Sequence, residues 1–238
     1  MTRMSGKVAL ITRAGRQPGR ACALRLAEEG ADIVAMDIPG RESEAGLAET
    51  AALVREFGRR TVTGSADPGD FDAVAAEVHA GAADLGPLDT IVAITEFPGS
   101  GAPSWEIDDE IWDRTLDMTV TGAWHIVKAG LAALSKAGGS VTLLSSTAAI
   151  RSLPAASHRS AAEHAVTGLA RTLANELVPQ RIRVNTVHPS PHDTAALLPV
   201  CVEPTDVANA ILFLASEESR CITGLQMIVD AGLTQKVA

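Results

Sequence analysis

Seven short, nearly continuous apolar runs alternate with longer alanine-rich stretches of helical spacing, and this alternation constrains the fold more than any other feature of the chain. The runs KVALIT (7–12), DIVAMD (32–37), RTVTGS (60–65), LDTIVAI (88–94), SVTLLS (140–145), IRVNTV (182–187) and LQMIV (225–229) read as strands. Strands apolar on both faces belong in a parallel sheet covered by helices on each side. The intervening stretches 19–30, 42–58, 70–84, 109–136, 157–178 and 204–215 read as those helices. In 157–178, Ala162, Val166, Leu169, Leu173 and Leu177 fall on one stripe, which predicts the face laid on the sheet. Asp108 and Thr205 are expected helix N-caps, and Gly30 and Gly58 sit where a glycine ends a helix. The repeated β-α order is that of a doubly wound α/β sheet. With no linker, internal repeat or low-complexity tract, residues 1–238 are expected to form one domain.

Composition narrows the function classes. Acidic residues outnumber basic ones 29 to 20, for a formal net charge of −9. A nucleic-acid or anionic-membrane surface needs a basic patch to displace counterions, so both are disfavoured. No apolar run is long enough to span a bilayer. MTRMSGKVALIT enters the first strand without a signal-peptide pattern, so a cytoplasmic protein is expected. Cys22, Cys201 and Cys221 are far apart and show no metal-ligand spacing, which predicts reduced thiols and no metal.

The chemistry-bearing stretches lie where strands end. After the first strand comes TRAGRQPGR, Thr12 to Arg20. Glycines in such a turn let main chain approach a pyrophosphate at the following helix N-terminus. Asp37 closes the second strand about twenty residues on, where an acid accepts from an adenosine ribose hydroxyl. Later come DMTVTG (117–122), LLSST with Ser146, the helix SHRSAAEHAVTGLARTLANEL (157–177), and VNTVHP (184–189). A serine hydrolase pairing Ser146 with His158 needs a glycine-flanked elbow, and LLSSTAA has no glycines.

With VDAG (229–232), FLAS (213–216) and TG (223–224), these motifs make the chain resemble the short-chain dehydrogenase/reductase family over almost its whole length. The resemblance is nearest to the actinobacterial, mycofactocin-associated, carveol-dehydrogenase-like subgroup. It implies a single Rossmann-type doubly wound parallel sheet, strand order 3-2-1-4-5-6-7, with helices on both faces. It also implies an NAD(H)-dependent oxidoreductase that assembles as a dimer or tetramer.

Residue by residue, the family pattern is broken. Thr12 and Gly19 match the first-turn motif T-G-x-x-x-G-x-G, but Arg13 and Gln17 replace its other two glycines. Asp37 and Asp67 match the adenosine-end acids, and Thr194 matches a threonine on the nicotinamide carboxamide. Glu96 falls in the turn that lines the cofactor. At the reaction centre Ser146 matches the family's serine, while Thr119 stands for the asparagine, Arg159 for the tyrosine and Glu163 for the lysine. The chain has no tyrosine at all. Arginine stays protonated and cannot cycle as acid and base. A carboxylate in place of the lysine reverses the support given to a neighbouring hydroxyl. Arg159 and Glu163, four apart on a helix, suit an ion pair. The substrate lid, about 190–203, is much shortened. The expectation is therefore a catalytically inactive homologue acting as scaffold, ligand sensor or partner subunit, alone or with an active paralogue. Its NAD(H) binding is expected to be weak or lost. The alternative is an active NAD(H)-dependent oxidoreductase on an alcohol or ketone with a non-standard acid–base residue.

Overall fold

The computed structural model describes residues 2–95, 101–151, 153–190 and 196–236. Its strands are β1 (Val8–Ile11), β2 (Asp32–Asp37), β3 (Thr61–Ser65), β4 (Thr90–Ile94), β5 (Gly139–Leu144), β6 (Ile182–Pro189) and β7 (Gln226–Val229). They form one seven-stranded sheet in the order β3-β2-β1-β4-β5-β6-β7, every pairing parallel. The helices are α1 (Gly19–Glu28), α2 (Arg41–Glu56), α3 (Phe71–Leu85), α4 (Asp109–Leu116), α5 (Gly122–Ala133), α6 (Ser157–Glu176) and α7 (Pro204–Ala215).

Alternate strand residues feed two cores. Val8, Leu10, Val34, Met36, Ile91 and Val141 pack with α3, α5 and α6. Ala9, Ile11, Ile33, Ala35, Val92 and Ile94 pack with α1, α2 and α7. This two-sided burial is why the strands read as unbroken apolar runs. The α6 stripe faces the sheet: Ala162 and Val166 are fully buried and Leu173 and Leu177 nearly so, while Leu169 is only partly buried at its margin.

Local signals held with exceptions. Gly30 and Gly58 have positive φ, 101° and 70°, and follow α1 and α2 directly. Asp108 is the N-cap residue of α4 but makes no side-chain cap bond. Thr205 is not the N-cap of α7: the helix starts at Pro204 with Glu203 as cap, and the Asp206 carboxylate accepts the Glu203 N–H at 2.9 Å. Proline at N1 shifts the start by presetting helical φ. The expected helix 109–136 is α4 and α5 joined through a π-helical turn, Asp117–Thr121. Trp105, Trp112 and Trp124 are exposed, Trp105 by 84%, so none belongs to this chain's core.

The sheet order reverses between β1 and β4, where a doubly wound fold opens its ligand crevice. Thr12 ties the two strands there: its Oγ1 donates to the Ile94 carbonyl at 2.9 Å and accepts the Ile94 N–H at 2.8 Å.

Candidate ligand cleft

The turn after β1 is held by its own side chains. Arg13, in a family glycine position, adopts φ +53°. A non-glycine residue in the left-handed region costs on the order of 1 kcal/mol. Gly19 packs so closely that a Cβ would overlap the Arg13 carbonyl, and a Cβ on Gly46 of α2 would overlap that of Gly15. These glycines serve contact between main-chain segments. Arg20 donates to the Gly15 carbonyl at 2.8 Å, and Thr50 Oγ1 donates to the Ala14 carbonyl at 2.7 Å. Gln17, in the other glycine position, bends its amide back so that Oε1 accepts the Ala21 N–H at 3.3 Å. Pro18 has no N–H to offer. The α1 N-terminus, where a pyrophosphate would gather donors, thus gives one to Gln17 and lacks another.

At the adenosine end, Asp37 is 4% exposed and accepts from Gly15 N–H at 3.1 Å, Ile38 N–H at 2.8 Å and Arg16 Nε at 3.3 Å. Arg16 also hydrogen-bonds Ser43. The cavity beside Asp37, lined by Arg13, Met36, Ile38, Ala66 and Pro68 among others, measures about 20 Å³. That is the scale of one water molecule. Asp67 forms an ion pair with Arg114 of α4 at 2.8 Å and accepts the Gly69 N–H at 2.9 Å. Burial pushes its pKa up, but the Arg114 guanidinium and the Gly69 N–H outweigh this and hold it below the usual carboxylate value. Both acids therefore exist as drawn from the sequence, each already engaged by this chain. An NAD(H) adenosine ribose or adenine approaching here would meet acids that already accept from Gly15, Ile38 and Arg16 and from Arg114 and Gly69.

The reaction-centre end is open. A pocket of about 300 Å³ is lined by Ser146, Arg159, Glu163, Thr95, Gln17 and Glu203, with Leu144, Val202 and Val207 as apolar wall. Three of the four predicted catalytic positions thus converge. The fourth, Thr119, is buried in the π-helical turn and does not line the pocket; its carbonyl accepts from the lining Thr95 Oγ1 at 2.9 Å. Ser146 ends β5's extension, and its Oγ accepts the Ala148 N–H at 3.2 Å. Ser145 Oγ reaches across to the Glu163 carbonyl at 3.3 Å, fixing α6 against the strand end. Glu163 itself is 4% exposed.

His188, uninformative as a lone histidine in the sequence, is fully buried and contacts the main chain of the pocket residue Ser146. Its Nδ1 contacts the Ser146 carbonyl at 3.1 Å and its Nε2 the Thr186 hydroxyl at 2.7 Å. A carbonyl only accepts, so Nδ1 carries the proton. Burial, offset in part by that bond, holds its pKa below the ordinary histidine value. His158 is 1% exposed, hydrogen-bonds no described residue, and does not line the Ser146 pocket. Burial and neighbouring Arg159 lower its pKa too. A Ser146–His158 couple therefore does not form. The only sequence signal for His188 was its place one residue before the end of a buried strand. Thr194 and Glu96 lie outside the described residues.

A larger cavity, about 520 Å³, sits at the amino ends of the central strands, among Met4, Lys7, Asp89, Gly138 and Arg181. It is remote from the strands' carboxyl ends, where ligands bind in this architecture. No group of described residues is arranged to hold a metal ion, and no described helix is long and apolar enough to cross a membrane.

A family model described as enoyl-(acyl carrier protein) reductase matches residues 18–234. The (−)-trans-carveol dehydrogenase of Rhodococcus erythropolis is 37% identical, covering 99% of this chain and 100% of that protein. The crystal structure of carveol dehydrogenase from Mycobacterium avium in complex with NAD superposes with TM-score 0.95 at 40% identity, over 99% of this chain and 100% of that one. A short chain dehydrogenase from Mycobacterium paratuberculosis bound to NAD gives 0.94 at 38%, over 98% and 100%.

Proposed function

The chain belongs to the short-chain dehydrogenase/reductase family of oxidoreductases, and from that premise we propose that it does not perform the family's tyrosine-dependent hydride transfer. In this reading NAD(H), the dinucleotide carried by its relatives, binds weakly or not at all. One observation carries it: Arg159 and Glu163 flank Ser146 in the open pocket of a chain that has no tyrosine. Reduction of a carbonyl needs a proton delivered to the developing alkoxide. A guanidinium does not release one at accessible pH. Glu163 places a negative group where the family supplies a positive one, which disfavours a developing alkoxide.

The remaining role is a binding one: a single domain of residues 1–238 working as scaffold, ligand sensor or partner subunit in the cytoplasm. It assembles as a homodimer or homotetramer, or with an active paralogue. A shortened lid at about 190–203 fits this reading. The alignment to the Rhodococcus dehydrogenase runs over 277 positions against a chain of 238 residues, so about forty positions of the relative have no counterpart here. An open cleft works against sequestered hydride chemistry.

The second reading is an active NAD(H)-dependent oxidoreductase on an alcohol or ketone, and the full-length similarity to dehydrogenases favours it. Glu163, a buried carboxyl lining the pocket with Ser146, is then the non-standard acid–base residue. Calorimetric titration with NAD⁺ and NADH, followed by a turnover screen of cyclic alcohols and ketones, separates the two. The first reading expects no saturation below about 1 mM and no rate above background. Tighter binding together with turnover abolished by Glu163→Gln establishes the second.

A further inference from the structure

The cavity beside Asp37 is small, the pocket at Ser146 is open, and Gln17 lines the open one. Gln17 lines the open pocket and places its Oε1 on the Ala21 N–H at the start of α1. A helix start is an anion site only while its N–H groups are available. The second helix start facing the pocket, α7, carries Glu203 at its cap and Asp206 on the Glu203 N–H. Its positive dipole end is therefore met by carboxylates of this chain. Among the described residues, side chains lining the pocket bring one guanidinium, Arg159, and two carboxylates, Glu163 and Glu203. The Gln17 amide at α1, the acidic cap of α7 and the two lining carboxylates each disfavour a phosphate in this pocket. The volume, about 300 Å³, lies at the small end of ligand sites and is walled by Leu144, Val202 and Val207.

We infer that this pocket is a binding site for a phosphate-free ring compound of nucleoside size or smaller, uncharged or singly cationic, and that Gln17 is the residue that excludes phosphate-bearing ligands. The ring lies against Leu144, Val202 and Val207, and its polar groups meet Ser146 and Glu163. This rests on the reading that the dinucleotide is bound weakly, and adds to it the ligand class and the residue that sets it.

A ladder of three probes tests it on the full chain by calorimetry: nicotinamide riboside, its 5′-monophosphate and NAD⁺. The three share one ring and differ by an added phosphate and then an added nucleotide. The riboside is expected to bind roughly ten-fold or more tightly than either phosphate-bearing probe, a difference of about 1.4 kcal/mol. Gln17→Ala, which frees the Ala21 N–H, is expected to close that gap. Glu203→Gln, tested separately, is expected to narrow it. NAD⁺ binding as tightly as the riboside to the unaltered chain overturns both this inference and the reading beneath it. A ladder unchanged by Gln17→Ala, in protein whose thermal midpoint shows it folded, overturns the assignment to Gln17 alone. Failure of all three probes to bind overturns the ligand class and leaves the weak-dinucleotide reading standing.

Discussion

The His188 imidazole donates from Nδ1 to the main-chain carbonyl of Ser146 at 3.1 Å, so the end of β6 holds the floor of the open pocket. Replacing it by alanine removes a fully buried ring and leaves that carbonyl without its partner. His188→Ala is expected to lower the unfolding free energy by about 2–4 kcal/mol, from cavity and lost hydrogen bonds together. Urea denaturation of the two proteins at pH 7.5 measures this. A loss below about 0.5 kcal/mol means the contact does not hold the floor in solution.

The same histidine makes stability pH-dependent. His188 and His158 both have pKa values lowered by burial from the ordinary 6.5. Just below pH 6.5 the unfolded chain binds protons that the native chain refuses. Their contribution is therefore complete above pH 6.5 and declines as the pH falls below it, by up to about 1.4 kcal/mol per pH unit for each group. Glu29 adds a second step. The Arg3 side chain and main-chain N–H hold it at about 2, so its contribution is present above its ordinary 4.5 and is lost toward pH 2. Urea midpoints between pH 7.5 and 5.5 are expected to fall for the native sequence and to fall less for His188→Gln.

Gly46 is where α2 meets the first turn. A Cβ there overlaps the Gly15 carbonyl, which is main chain and cannot swing aside. Gly46→Ala is expected to cost about 1–3 kcal/mol, although alanine is the better helix former. Gly168, on α6 with nothing near its missing Cβ, is the control. Gly168→Ala is expected to stabilise by about 0.4–1 kcal/mol. Equal effects from the two substitutions contradict the packing account.

Restoring the reaction centre alone is expected to restore nothing. Arg159→Tyr with Glu163→Lys returns the family's proton donor and its cationic helper, but Gln17 still caps α1 and Arg13 still lines the small cavity beside Asp37. NADH oxidation with a panel of cyclic ketones should stay at background for that pair. It should rise only when Arg13→Gly and Gln17→Gly are added. Turnover by the pair alone means that the first turn is not limiting.

The chain's periodicity was sufficient for the architecture. Apolar residues at successive strand positions, and a stripe on α6 from Ala162 to Leu177, can be buried in few ways, because unburied they forfeit the main driving force for folding. The identities of Arg13, Gln17, Arg159 and Glu163 were equally legible, since each departs from a pattern defined residue by residue. What those side chains touch was not legible. Gln17 on the Ala21 N–H, Arg16 on Asp37, Arg114 on Asp67 and His188 beneath Ser146 are contacts set by the packing of helices and strand ends. Arg114 lies 47 residues from its partner and His188 lies 42 from its own. No local rule of spacing encodes such distances. Long polar side chains choose their partners only after the apolar core has brought them within reach, so the tertiary structure alone decided which groups of the cleft are already taken and which line the open pocket.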